Sequence, residues 1–132
     1  MLAMMMMMIA CELPIEGQSC NLMYAPNMLN VEVSADWSGD VRIDVTGDGE
    51  TISCTLIAEE AAAQCDDLGS LIERAGEQVV VSLWDYTPDV VDVTVEHAGG
   101  GGSVVLEPSY TIDEPNGPGC GERRLATEQV SL

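Results

Sequence analysis

"QVVVSLWDYTPDVVDVTVEH", residues 78–97, carries a regular alternation of apolar and polar residues. In its second half Val91, Val93 and Val95 alternate with Asp92, Thr94 and Glu96. A period of two places the valines on one face of a strand and the polar residues on the other. In its first half Val79, Val81 and Leu83 share a parity, with Trp84 and Tyr86 on the opposite one. β-Branched residues at this spacing suit a pleated, half-buried surface. The stretch reads as a pair of strands around "TPD" at 87–89.

The same alternation recurs outward from it. "NVEVSA" (30–35) sets Val31, Val33 and Ala35 against Glu32 and Ser34, and "VRIDV" (41–45) sets Val41, Ile43 and Val45 against Arg42 and Asp44. "GDGE" (47–50) is a hairpin turn, because Asp48-Gly49 suits φ > 0 in a tight loop. "TISCTLIA" (51–58) puts Ile52, Cys54, Leu56 and Ala58 on one parity. "EEAAAQ" (59–64) is the one good helical stretch, with its glutamates at the start, where a helix dipole favours them. One or two helical turns are expected there. "SLIERA" (70–75) fits a strand or the end of that helix, and "GGGG" (99–102) a flexible turn. "SVVLEPSYTI" (103–112) is a strand bent at Pro108, "DEPNGPGCGE" (113–122) a structured loop, and "RRLATEQVSL" (123–132) a last strand.

Short strands about ten residues apart, with almost no helix, predict an all-β chain: an antiparallel β-sandwich of about seven strands with one short helical turn. At "AGEQVVVSLWDYTPDVVDVTVEH" (75–97) the sequence resembles the transthyretin-like and carboxypeptidase-regulatory-like sandwiches. Those run as a Gly-led strand, an aromatic-bearing turn and a Val-rich strand. The likeness spans roughly Val31–Val95 and is one of strand pattern. The wider layout is similar to small bacterial lipoproteins with Ig-like domains. The resemblance implies an Ig-like or transthyretin-like sandwich serving as an accessory or binding module.

Length and charge narrow the classes. The 132 residues suit one domain. The expected organisation is a leader at 1–10, a tether at 11–27 and a sandwich at 28–132. There are 23 acidic residues against four arginines and no lysine, giving a net charge of −19. So acidic a chain repels phosphate backbones, so no nucleic-acid partner is expected. Anionic membrane surfaces are equally unfavourable, and attachment to a membrane needs a covalent or hydrophobic anchor. The acidity has three readings: a solvated surface, calcium binding in loops, or a basic partner.

The chain opens "MLAMMMMMIACE". Ten apolar residues are too few to span a bilayer, which takes about 20 in a helix. They match the apolar core of a signal peptide. Met8-Ile9-Ala10-Cys11 resembles the bacterial lipobox, with Met8 in the place usual for leucine. The resemblance implies that the Cys11 thiol receives a diacylglycerol and that the leader is cut before it. The other reading is an apolar terminal strand or helix with Cys11 buried.

With Cys11 set apart, Cys20, Cys54, Cys65 and Cys120 form an even set without the close C-x-x-C spacing of a zinc knuckle. In an exported protein they oxidise to disulfides. Cys54–Cys65 closes a short loop around the 59–64 segment, and Cys20–Cys120 joins the tether to the 113–122 loop. The crossed pairings stay open, because chain distance does not fix spatial distance.

Candidate sites are few. His97, the only histidine, ends a strand with no evident nucleophile or orienting acid. Asp36, Asp40, Asp44 and Asp48 recur every four residues, and Asp85 and Asp89 occupy another acidic loop, but neither set has the spacing of a calcium loop. Trp84 and Tyr86 are possible binding residues if they point outward; otherwise they cover the sheet edge or pack beneath the 85–89 turn. No catalytic residue or cofactor is expected, and the sequence leaves open whether a metal binds. The expectation is an exported, lipid-anchored protein of the cell envelope, at a bacterial outer membrane, with a binding or structural role toward a protein or glycan. The alternatives are a calcium-binding adhesion-type module and an accessory subunit of a secreted hydrolase.

Overall fold

The computed structural model describes Cys20, residues 25–34 and residues 39–131. These contain ten strands and no helix. The strands are β1 (Met28–Ser34), β2 (Val41–Gly47), β3 (Glu50–Leu56), β4 (Ala62–Gln64), β5 (Leu71–Ala75), β6 (Gln78–Trp84), β7 (Val91–His97), β8 (Gly100–Leu106), β9 (Thr111–Asp113) and β10 (Arg123–Ser131). They form a six-stranded sheet in the order β4-β5-β6-β1-β10-β9 and a four-stranded sheet in the order β3-β2-β7-β8. The chain divides into two compact units, Pro26–Thr111 with Arg124–Leu132, and Met1–Ala25 with Ile112–Arg123.

The larger unit is a sandwich-like all-β fold whose core follows the period of two. Val31, Val33, Val41, Ile43, Val45, Ile52, Leu56, Val79, Val81, Leu83, Val91, Val93 and Val95 are each at most 1% exposed. Burying one such side chain contributes about 1.5–3 kcal/mol. Leu29, Cys54, Ile72, Ala126 and Val130 complete the layer. Cross-strand register brings like parities together: Val31 faces Val81, Ile43 faces Cys54 and Val95, and Val93 faces Val104. The β2–β3 hairpin turns on Asp48 and Gly49, at φ 52° and 77°, and two positive values are what a two-residue hairpin loop requires.

Four expectations need correction. The helical turn at 59–64 is absent: Ala58 and Glu59 form a turn and β4 follows. Alanine's helix preference is worth only tenths of a kcal/mol per residue, and two turns are too short to hold alone. Here tertiary pairing wins. Ala62 and Ala63 pair with Glu73 and Ile72, while the Arg74 guanidinium donates to the carbonyls of Gly39, Glu60 and Ile57 at 2.9, 3.0 and 3.2 Å. The glycine run is not simply a turn, since Gly100–Gly102 open β8. The described residues form ten strands rather than about seven, because the 70–75 stretch is a strand, β5, and β4 and β9, only three residues each, add two more. Finally, β1 and β10 pair in parallel, whereas β1–β6, β2–β3, β2–β7, β4–β5, β5–β6 and β7–β8 are antiparallel. Parallel neighbours need a long connection, and nearly the whole domain lies between these two.

Candidate functional site

Trp84 and Tyr86 share a parity in the sequence but not a fate. Between them Asp85 adopts φ 53°, which breaks the strand alternation after Trp84. Tyr86 turns inward and is 5% exposed. Its hydroxyl donates to the Glu50 carbonyl at 3.1 Å, with the carbonyls of Val45 and Gly47 at 3.4 Å. Burial, followed by the nearby Glu50 and Asp48 charges, pushes its pKa up to about 12. Trp84 stays half-buried on the outward side of β6. Its indole covers Gly69, and its backbone N–H donates to Ser70 Oγ at 3.0 Å. Ser70 is fully buried and donates in turn to Asp67 Oδ2 at 3.2 Å.

Asp85 and Asp89 serve the fold around this turn. Asn27 donates its backbone N–H to Asp85 Oδ1 at 3.1 Å and accepts from the Asp85 N–H at 2.7 Å. Asn27 Oδ1 also accepts from the Arg124 N–H at 2.8 Å. Asn27 thereby links the end of β6 to the start of β10. Arg124 reaches Asp89 at 3.4 Å and lies 4.4 Å over the Tyr110 ring. The Tyr110 hydroxyl donates to the Pro88 carbonyl at 2.7 Å, and burial first, then the Asp89 charge, outweighs Arg124 to raise its pKa to about 12.

The other acidic candidates are similarly distributed. Asp44 pairs with Arg42 at 3.2 Å, and Asp40 Oδ1 accepts from the Ala58 N–H at 2.8 Å. Asp36 lies outside the described residues. Among the described residues no three His, Cys, Asp or Glu side chains converge to hold a metal ion.

His97 has surroundings that the sequence alone does not reveal. Register places it opposite Val41 and places Arg42 between Thr55 and Glu96. Asp40, Val41, Arg42, Thr55, Glu96, His97 and Ala98 line an open groove of about 440 Å³ at this end of the four-stranded sheet. His97 Nδ1 accepts from the Gly99 N–H at 3.1 Å, so the neutral ring carries its proton on Nε2. The groove carries both signs of charge among its lining residues, from Arg42, Asp40 and Glu96. Arg42, Thr55 and Glu96 do sit on the outward parity of their strands, but only the register shows that they are neighbours.

Two disulfides are present. Cys54 and Cys65 are bridged within the larger unit, with Cα atoms 4.3 Å apart, and both are buried. Asp66 reinforces the join: its N–H donates to the Ser53 carbonyl and its Oδ1 accepts from the Ser53 N–H, both at 2.9 Å. Cys20 and Cys120 are bridged in the smaller unit, with Cα atoms 5.7 Å apart. There Glu114 Oε2 accepts from the Gly119 N–H at 2.6 Å. Arg123 holds Asp113 in a two-pronged pair at 3.1 and 2.8 Å, which keeps the Asp113 pKa below its ordinary value. Cys11 lies outside the described residues. Disulfides of this kind are consistent with a non-cytoplasmic protein.

No family model, no curated protein and no solved structure matches this chain.

Proposed function

We propose that this chain is an exported lipoprotein of the bacterial cell envelope, held at the outer membrane by lipid on Cys11. Its role is to bind or to brace, without catalysis, through an Ig-like or transthyretin-like sandwich. The partner is a protein or a glycan. The observation that carries the reading is the pair of disulfides, Cys20–Cys120 and Cys54–Cys65. Such bridges persist in oxidising compartments. The sequence adds the apolar segment that ends at Ile9-Ala10-Cys11. The His97 groove is one surface available for binding.

The test is metabolic labelling with a radioactive fatty acid in a Gram-negative host. Wild-type chain should incorporate label and enter the detergent phase on partitioning. Cys11→Ser should do neither. Unlabelled wild-type protein that keeps Met1 and remains in the aqueous phase overturns the anchor.

A further inference from the structure

The two sheets have four edges, and three of them are blunted. The outer strands of the six-stranded sheet, β4 and β9, are three residues long. Short edge strands offer little backbone for pairing. On the four-stranded sheet, the middle of the β3 edge is occupied by Asp66, which bonds both the N–H and the carbonyl of Ser53. The fourth edge, β8, is seven residues long. Among the described residues nothing bonds its outer side. It carries no charge and no proline between Gly100 and Leu106, so it lacks the usual guards against strand addition.

The two faces beside this edge differ. Gly102, Val104 and Leu106 lie opposite Val95, Val93 and Val91. Val104 and Leu106 pack on the core yet remain partly exposed. An added strand would cover them with its own apolar side chains. On the other face Gly101 lies opposite Glu96, and Val105, 64% exposed, lies opposite Asp92. A strand added at about 4.8 Å from β8 sets its outward side chains roughly 10 Å from Asp92 and Glu96, about one Debye length at moderate salt. A net charge of −19 disfavours a second copy of this chain there and favours a cation.

We propose that β8 is a docking edge for an extended peptide segment with apolar residues on one face and Lys or Arg on the other. Main-chain hydrogen bonds would hold the segment, and the alternation would select it. The inference supplies a partner class for the binding role proposed above. Docking at β8 does not depend on lipid at Cys11, so either can fail alone.

The test uses the full, oxidised chain and three synthetic heptapeptides: alternating Val and Lys, alternating Val and Glu, and the Val–Lys peptide N-methylated at alternate residues. Binding is followed by calorimetry and by backbone amide exchange. The Val–Lys peptide should saturate and slow exchange about tenfold, with the effect centred on Gly100–Leu106. The N-methylated peptide should bind at least about tenfold more weakly, because it cannot complete the ladder. The Val–Glu peptide should not bind. Equal binding of the N-methylated peptide, or protection away from β8, overturns the proposal. So does concentration-dependent self-association that protects β8 without peptide.

Discussion

The Trp84 indole occupies the space that a side chain on Gly69 would need. A Cβ there would overlap Cε3, Cζ3 and Cδ2 of the ring, and Gly69 also sits at φ 96°. Gly69→Ala therefore meets two penalties, backbone strain and an aromatic ring that must move. The expected loss is about 3 kcal/mol in denaturant unfolding with the disulfides intact. Gly76 has φ 64° but nothing within 4 Å of an added Cβ. Gly76→Ala should cost only about 1 kcal/mol, from the backbone alone. Equal effects at the two sites would show that the ring contact does not matter.

Tyr86 and Tyr110 make stability fall in strong alkali. Each holds its proton up to about pH 12 in the folded chain, whereas an unfolded tyrosine loses it near 10. Between those values the unfolded state binds fewer protons, so stability drops as pH rises. Below about pH 10 both states are protonated, and these groups contribute no slope. Melting temperature measured from pH 8 to 12 should be flat with respect to these residues and then decline. Tyrosinate absorbance should show late titration that Tyr86→Phe and Tyr110→Phe each remove in part.

Tyr86→Phe should also cost stability at neutral pH. The substitution removes the hydroxyl's bond to the Glu50 carbonyl at the β2–β3 turn. About 1–2 kcal/mol is expected by thermal or denaturant unfolding. The change should add to that of Gly76→Ala, which lies on a different hairpin.

The two disulfides should differ in their response to reductant. Cys54 is fully buried and Cys65 is 8% exposed, whereas Cys20 is exposed and Cys120 half-buried. Thiol exchange needs access to a sulfur. Brief treatment with mild reductant followed by alkylation should label Cys20 and Cys120 first. Replacing Cys54 and Cys65 together by alanine should cost roughly 3 kcal/mol, the entropy of closing a short loop. Prior labelling of Cys54 would contradict this order.

Sodium chloride should raise the melting temperature by screening a net charge of −19. Calcium should do no more than its ionic strength dictates, since the described carboxylates form no cluster of three. A saturable gain at low calcium, absent with sodium, would return the calcium-binding reading to favour.

The core was legible because alternation is local. Val91, Val93 and Val95 declare their face within five residues, and their burial follows. Pairings between distant segments were not legible. The parallel match of Met28 with Leu125, the clasp of Asn27 on Asp85 and the grouping of Arg42 with Thr55 and Glu96 all depend on register. Local preference misled at 59–64, where three alanines suggest a helix and cross-strand pairing overrides it. At Tyr86 the parity left an outward ring and a ring packed beneath the turn both open, and the positive φ of Asp85, which no residue count reveals, turns the ring inward.

The parallel pairing of β1 with β10 sets an order of events during synthesis. Strand β1 is flanked by β6 on one side and by β10 on the other. Until β10 emerges, a Val-rich strand has one backbone edge uncovered, and the sheet lacks Ala126 and Val130 from its inner layer. Contacts this distant in sequence form late and slowly. Such an edge on an unfinished sheet is a template for unwanted pairing. Until β10 is in place, β1 is therefore an interior strand with one side open to a wrong neighbour.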